Sequence, residues 1–354
     1  MPRSHVTLAE TTASPDGATL NALLRRYEST LIGELLSCEP LTQGLLNRGY
    51  HLTTTRGRFF LKHHLDGDRT ALARQHRVTR RLGARGLPVA PPIADVDGAT
   101  VSVLDGRCYA LHPWVEGRHR DGAELNRAQS WRLGALLGLV HTCLEEVIDP
   151  RTPAPRDASH APDVTGADPE HTFALIDQLL ALARARRSRD AFDELAEHRL
   201  LERRALLERH AHRRPEASTV PATGWVHGDF HPLNLLYRDA EPAAIVDWDR
   251  LGVQPRAEEA VRAAAIFFVR PCGTLELSKV RPYARAYRCA IGAGQDELAA
   301  AVHRVWWERL NDFWMLRWHY QLGDHRADPQ FPAAAALAVW WTREYDAVRE
   351  AFVA

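Results

Sequence analysis

Trp225-Val-His-Gly-Asp-Phe-His-Pro-Leu-Asn-Leu-Leu-Tyr237, a turn through Asp239-Ala-Glu-Pro242, and then Ala244-Ile-Val-Asp-Trp-Asp-Arg250 form the stretch that decides how this chain is read. His227, Asp229 and Asn234 stand in a His-x-Asp-x-x-x-x-Asn spacing, and Asp247 ends a β-type run. A carboxylate can orient an attacking hydroxyl, and hard oxygen ligands suit Mg²⁺ on phosphates. Asp229, Asn234 and Asp247 supply those oxygens. His227 and His231 are also four residues apart, as in some zinc sites, but Pro232 opposes the single helix such a pair needs and no third ligand is evident.

With this motif the chain resembles the aminoglycoside phosphotransferase/choline kinase-like family, part of the protein-kinase-like fold. The resemblance extends over residues 40–345 and is strongest over 225–250. It implies an α+β, two-lobed architecture, with a small antiparallel-sheet N-lobe and a larger, mainly helical C-lobe. It also implies ATP and Mg²⁺ as cofactors, Asp229 as catalytic base, Asn234 and Asp247 as metal ligands, and His227 as the histidine that braces the catalytic loop.

Upstream, residues 1–19 read as a loose tail, and Leu20 to Leu36 carries apolar residues at helical spacing. Short β-prone runs around Arg56-Gly57 and again at 100–104 and 107–112, with a helix at 69–85 closed by Gly86, predict a five-stranded meander with an inserted helix. The N-lobe is thus expected over 20–112, a hinge over 113–117 and the C-lobe over 118–354. Of the 45 basic residues only Lys62 and Lys279 are lysines. Lys62 falls in the third predicted strand, where the resemblance places the lysine that meets the α- and β-phosphates; a compact ammonium suits that task better than a guanidinium. Gly44 to Gly49, with Asn47, is the candidate phosphate-covering turn. Gln75 occupies the helix position where the family carries a glutamate, and no Glu occurs between His63 and Val115. A glutamine carbonyl can accept a hydrogen bond from Lys62 but brings no charge. His112 to Trp114 is the candidate purine-contacting hinge.

Downstream, long helices are expected at 126–146, 170–187 and 191–212, and an aromatic one from Val302 to Gln321. In the last, Trp307, Leu310, Trp314 and Trp318 make one buried stripe, with Glu308, Asp312 and His319 on another face. Glu308 and Asp312, with Asp163 and Asp168 from a flap at 149–170, are candidate contacts for a cationic or polyhydroxylated acceptor. Arg309 and Arg317 stand nearby for an acid.

Composition narrows the class of partner. Lys+Arg and Asp+Glu are equal at 45 each among 354 residues, with no basic block of the kind that binds nucleic acid. No apolar run is long enough to span a bilayer, and five widely spaced cysteines suit a reducing compartment. The expectation is a cytoplasmic enzyme, monomer or homodimer, that phosphorylates a hydroxyl of a small molecule of aminoglycoside, sugar or amino alcohol type. A homoserine-type amino acid kinase and a catalytically degenerate nucleotide-binding protein are the alternatives. No Ala-Pro-Glu signature follows Asp247, which disfavours a protein substrate.

Overall fold

The computed structural model describes residues 15–41, 47–65, 68–149 and 166–354. They divide into two compact units, one through Glu116 and one from Gly117. Among the described residues no helix is long and apolar enough to cross a membrane.

The first unit opens with α1 (Gly17–Leu24), whose N-cap Asp16 accepts the Thr19 N–H, and the single turn α2 (Ser29–Ile32). The helix expected over 20–36 is therefore broken: Gly33 takes φ +73° and turns the chain into β1 (Leu35–Leu41). Leu20, Leu23, Tyr27 and Ile32 keep the apolar rhythm because all four pack into one core, not because one helix carries them. β2 (Arg48–Thr54) and β3 (Gly57–His64) follow, then α3 (Arg69–Ala84), β4 (Ser102–Leu104) and β5 (Arg107–Pro113), in an antiparallel sheet of order β1-β2-β3-β5-β4. Leu52 and Leu61 point inward and are fully buried, each contributing on the order of 1.5–3 kcal/mol. Asp68 caps α3 by accepting the Thr70 N–H, and Gly86 at φ +83° follows its end.

In the second unit α4 (Arg127–Val147), α5 (Pro169–Ala185) and α6 (Ala191–His210) precede two short antiparallel pairs. β6 (Thr223–Val226) pairs with β9 (Gly252–Pro255), and β7 (Leu235–Arg238) with β8 (Glu241–Ile245). There follow α7 (Arg256–Phe267), α8 (Leu277–Ile291), α9 (Gln295–Asn311), α10 (Trp314–Arg317), α11 (Phe331–Arg343) and α12 (Tyr345–Val353). A Cβ on Gly134 would lie 2.0 Å from the Tyr283 carbonyl oxygen, so glycine lets α4 and α8 lie backbone to backbone. Lys279 donates to the carbonyls of Gly122 and Ala123, at 3.0 and 3.1 Å, and meets Glu276 at 3.3 Å. The second of the two lysines is thus a structural clamp.

The aromatic helix expected to run to Gln321 stops at Asn311. Asp312 Oδ1 accepts the Trp314 N–H at 3.1 Å, which replaces a helical hydrogen bond by a local one. After α10 a π-helical turn, Trp318–Leu322, ends at Gly323 with φ +64°. Trp307 and Leu310 are buried, but Trp314 and Trp318 are only half-buried and pack on each other, while His319 is buried. The stripe therefore does not continue past the break, and His319 does not lie on an open polar face.

Candidate active site

β6 and β9 bring the two ends of the motif together, and two backbone conformations then set the loop between them. Gly228 takes φ +85°, and a Cβ there would meet the Arg250 carbonyl oxygen at 2.2 Å; no other residue fits. Asp247 takes the left-handed conformation, φ +59° and ψ +66°, which side chains other than Asn and Asp adopt rarely. Its neighbours hold it there. Val246 donates its N–H to Asn234 O at 3.0 Å, and its own carbonyl meets His227 Nε2 at 3.0 Å.

His227 is fully buried and uses both ring nitrogens. Nδ1 accepts the Asp229 N–H at 3.2 Å, so Nε2 carries the proton donated to Val246 O. One ring thereby couples Asp229 to the peptide next to Asp247. Asn234, also buried, donates Nδ2 to Asp229 O at 2.8 Å and lies 3.1 Å from His231 Nε2. Its amide nitrogen is committed within the loop, which leaves Oδ1 as its ligand atom. The Asp229 carboxylate lies 3.6 Å from His231 Nε2 and 3.9 Å from Arg250 Nε. Burial alone would raise its pKa, but His231, then Arg250 and His227, hold it below the ordinary carboxylate value. Asp229 is therefore an anion at neutral pH.

Beneath the loop lies a residue that sequence reasoning missed. Glu259 of α7 is buried and accepts the N–H groups of His227, at 3.2 Å, and Gly228. Its Oε2 is also 2.7 Å from His141 Nε2, and His141 Nδ1 is 3.0 Å from the Tyr287 hydroxyl. Burial pushes the Glu259 pKa up, yet His141, His227 and the Gly228 N–H outweigh it and hold the carboxyl below its ordinary value. The signal available was His141, a polar residue on the apolar face shared by Leu133, Leu137, Val140 and Leu144.

In the first unit, Lys62 is buried on β3, opposite Gly49 of β2 and Ala110 of β5. Gln75 is half-buried on α3, and its neighbour His76 feels the Lys62 charge. The His76 pKa is pushed down to about 3 by burial, then by His112 and Lys62. Its Nδ1 lies 2.9 Å from Thr100 Oγ1. His112 turns its Nδ1 to Ala90 O at 2.9 Å, and Trp114 donates its N–H to Arg58 O at 3.2 Å while its ring packs on His51. The His112 ring and the Trp114 N–H are thus engaged inside this unit. Asn47 Oδ1 accepts the Leu65 N–H at 3.2 Å. Gly44 lies outside the described residues.

Of the candidate acceptor contacts, Glu308 is 2.8 Å from Arg262 Nη1, so its charge is compensated. Asp312 borders a small cavity of about 40 Å³ with Arg199, Arg203 and Arg309. Burial raises its pKa, against the opposing pull of Arg309. Asp168 caps α5 and meets Arg214 at 3.3 Å, a structural pair, and Asp163 lies outside the described residues.

A family model described as the phosphotransferase enzyme family matches residues 37–301. The chain is similar to the homoserine kinase of Neisseria meningitidis serogroup B, 34% identical over 110 residues, 31% of this chain and 35% of that protein. That match spans about a third of the relative's length. The homoserine kinase of Methylobacillus flagellatus is 24% identical over 310 residues, covering 85% of this chain and 86% of the relative. Among solved structures, a spectinomycin phosphotransferase in complex with ADP and spectinomycin superposes with a TM-score of 0.59 at 14% identity, covering 97% of this chain and 99% of that one. With its small antiparallel sheet and mainly helical remainder, the chain has the protein-kinase-like fold and belongs to the phosphotransferase enzyme family.

Proposed function

We propose that the chain is an ATP- and Mg²⁺-dependent phosphotransferase that moves the γ-phosphoryl group onto a hydroxyl of a small molecule. The observation that carries this reading is the Asp229 carboxylate, held ionised and tied through His227 to the Asn234–Asp247 segment. The donor set fits Mg²⁺, since one carboxylate and one amide oxygen are hard ligands and the Asn234 amide nitrogen is already engaged. Bound Mg²⁺ supplies charge neutralisation on the phosphates. Asp229 orients the acceptor hydroxyl and takes its proton as the new oxygen–phosphorus bond forms and the bond to the leaving ADP breaks. Asn234 and Asp247 hold the cation, and Lys62 meets the phosphates. The compartment is the cytoplasm, supported by five widely spaced cysteines.

Aminoglycosides, sugars and amino alcohols form the first acceptor class. A homoserine-type amino acid is the second reading, favoured by the homoserine kinases among its relatives and by Arg309 beside Asp312, which together offer both signs of charge. An ATP-consumption screen over aminoglycosides, sugars, homoserine and choline tests both. Turnover with none of them, by a folded protein, overturns the reading.

A further inference from the structure

Far along the chain from the catalytic motif, three side chains converge on one point. His319 Nδ1 is 2.8 Å from Asp328 Oδ2, His325 Nδ1 is 3.0 Å from the same oxygen, and the two Nδ1 atoms are themselves 3.0 Å apart. His319 comes from the π-helical turn after α10, and Asp328 from the short turn that leads into α11. The Asp328 Oδ1 atom is buried and has no hydrogen-bond partner among the described residues.

Hydrogen bonds cannot satisfy this triangle. An ionised carboxylate only accepts, so both edges to Oδ2 require protonated nitrogens. The third edge then sets two N–H groups against each other. Removing either proton relieves that edge but turns a nitrogen lone pair on the carboxylate oxygen. As long as Asp328 is ionised, one edge is repulsive wherever the ring protons sit. A cation at the centre reverses this, because it accepts lone pairs from all three atoms at once.

We infer that His319, His325 and Asp328 form a binding site for a borderline divalent transition metal of the zinc type. Two imidazole nitrogens and one carboxylate oxygen are the donor set such ions prefer, whereas Mg²⁺ favours oxygens and keeps its waters. Zinc bonds of about 2.0–2.2 Å let the three atoms cap the ion from one side. Oδ1 of Asp328 is available as a second tooth, and the opposite side is left to water. Phe192 stacks on the His319 ring at 4.2 Å and fixes its plane.

The surrounding charges are mixed. Arg186 Nη1 lies 2.6 Å from His319 Nε2 and 3.3 Å from Asp193 Oδ1, and Asp190 and the Arg326–Asp324 pair stand nearby. Coordination through Nδ1 places the ring proton on Nε2, which turns Arg186 from the ring toward Asp193. The metal would staple the π-helical turn to the start of α11 across residues 319–328.

The test uses the purified full chain, stripped with a chelator and titrated with Co²⁺, then Zn²⁺. The expected result is one equivalent of Co²⁺ retained at equilibrium dialysis, displaced by Zn²⁺ but not by excess Mg²⁺. His325→Ala, at an exposed position, and Asp328→Asn should weaken binding by more than the about 10- to 100-fold that loss of an outer-sphere partner costs. Failure of the parent to retain one equivalent overturns the proposal. So does an unchanged stoichiometry and affinity in both variants. The readout is metal binding alone and does not depend on phosphotransfer.

Discussion

Glu259 and His141 face each other inside the second unit, Oε2 to Nε2 at 2.7 Å, and the same carboxylate receives the backbone N–H groups of His227 and Gly228. A buried pair 118 residues apart in sequence thus anchors the backbone on which Asp229 is carried.

Removing one partner should be felt twice. Glu259→Ala leaves two buried N–H groups and His141 without their acceptor, a loss of about 3–5 kcal/mol by analogy with broken buried pairs. Thermal unfolding should register that. Glu259→Gln, which keeps an acceptor oxygen, should retain more stability than Glu259→Ala, with a reduced kcat. A Glu259→Ala protein that unfolds at the parent temperature would refute the anchoring role.

His76 gives stability a definite dependence on pH. Its folded pKa, about 3, lies below its ordinary value of 6.5. The unfolded chain therefore binds the extra proton first as pH falls. The contribution is fully present above 6.5 and is lost progressively down to about 3. The slope approaches about 1.4 kcal/mol per pH unit between these limits. Denaturant midpoints from pH 7 to 4 should fall in the parent, and more shallowly in His76→Gln.

Asp229→Ala and Asp247→Ala should both abolish most transfer, by different routes. Loss of general-base action costs about 10²- to 10⁴-fold in kcat. Asp247→Ala should instead raise the Mg²⁺ concentration needed for half-maximal rate. Near-parental kcat in Asp229→Ala, with ATP and Mg²⁺ saturating, would remove it from the chemistry.

Lys62→Met should lower kcat/KM for ATP, and Lys62→Arg should not restore it, because the strand buries a compact ammonium where a fork would need more room. Gln75→Glu should be tolerated. A folded Gln75→Glu protein that no longer binds nucleotide would show that Gln75 does not serve Lys62.

For the acceptor, Asp312→Asn should raise the acceptor KM with the KM for ATP nearly unchanged. Glu308→Gln should do less, since Arg262 already compensates that carboxylate. If instead Arg309→Ala destroys turnover and both acid variants behave as the parent, the acceptor carries a carboxylate.

The candidate motif was legible in the sequence because it is local: Asp229, Asn234 and Asp247 lie within one loop and one hairpin, where spacing alone sets what can meet. The β-prone run before the Arg56-Gly57 turn likewise announced a strand, and in β2 Tyr50, Leu52 and Thr54 are buried. Tertiary structure alone decided the rest. Glu259, in an alanine-rich helix, reads as an ordinary acid until α7 packs under the loop and its carboxylate finds two backbone donors. Asp312 ends α9 by competing for a backbone N–H, a choice that helical periodicity does not encode. His319, His325 and Asp328 follow no motif spacing and meet only because a π-helical turn and Gly323 fold the chain back on itself. Sequence spacing reveals contacts made along a strand, a helix or a tight turn. Contacts between elements depend on which faces pack, and that is settled by burial of the whole core.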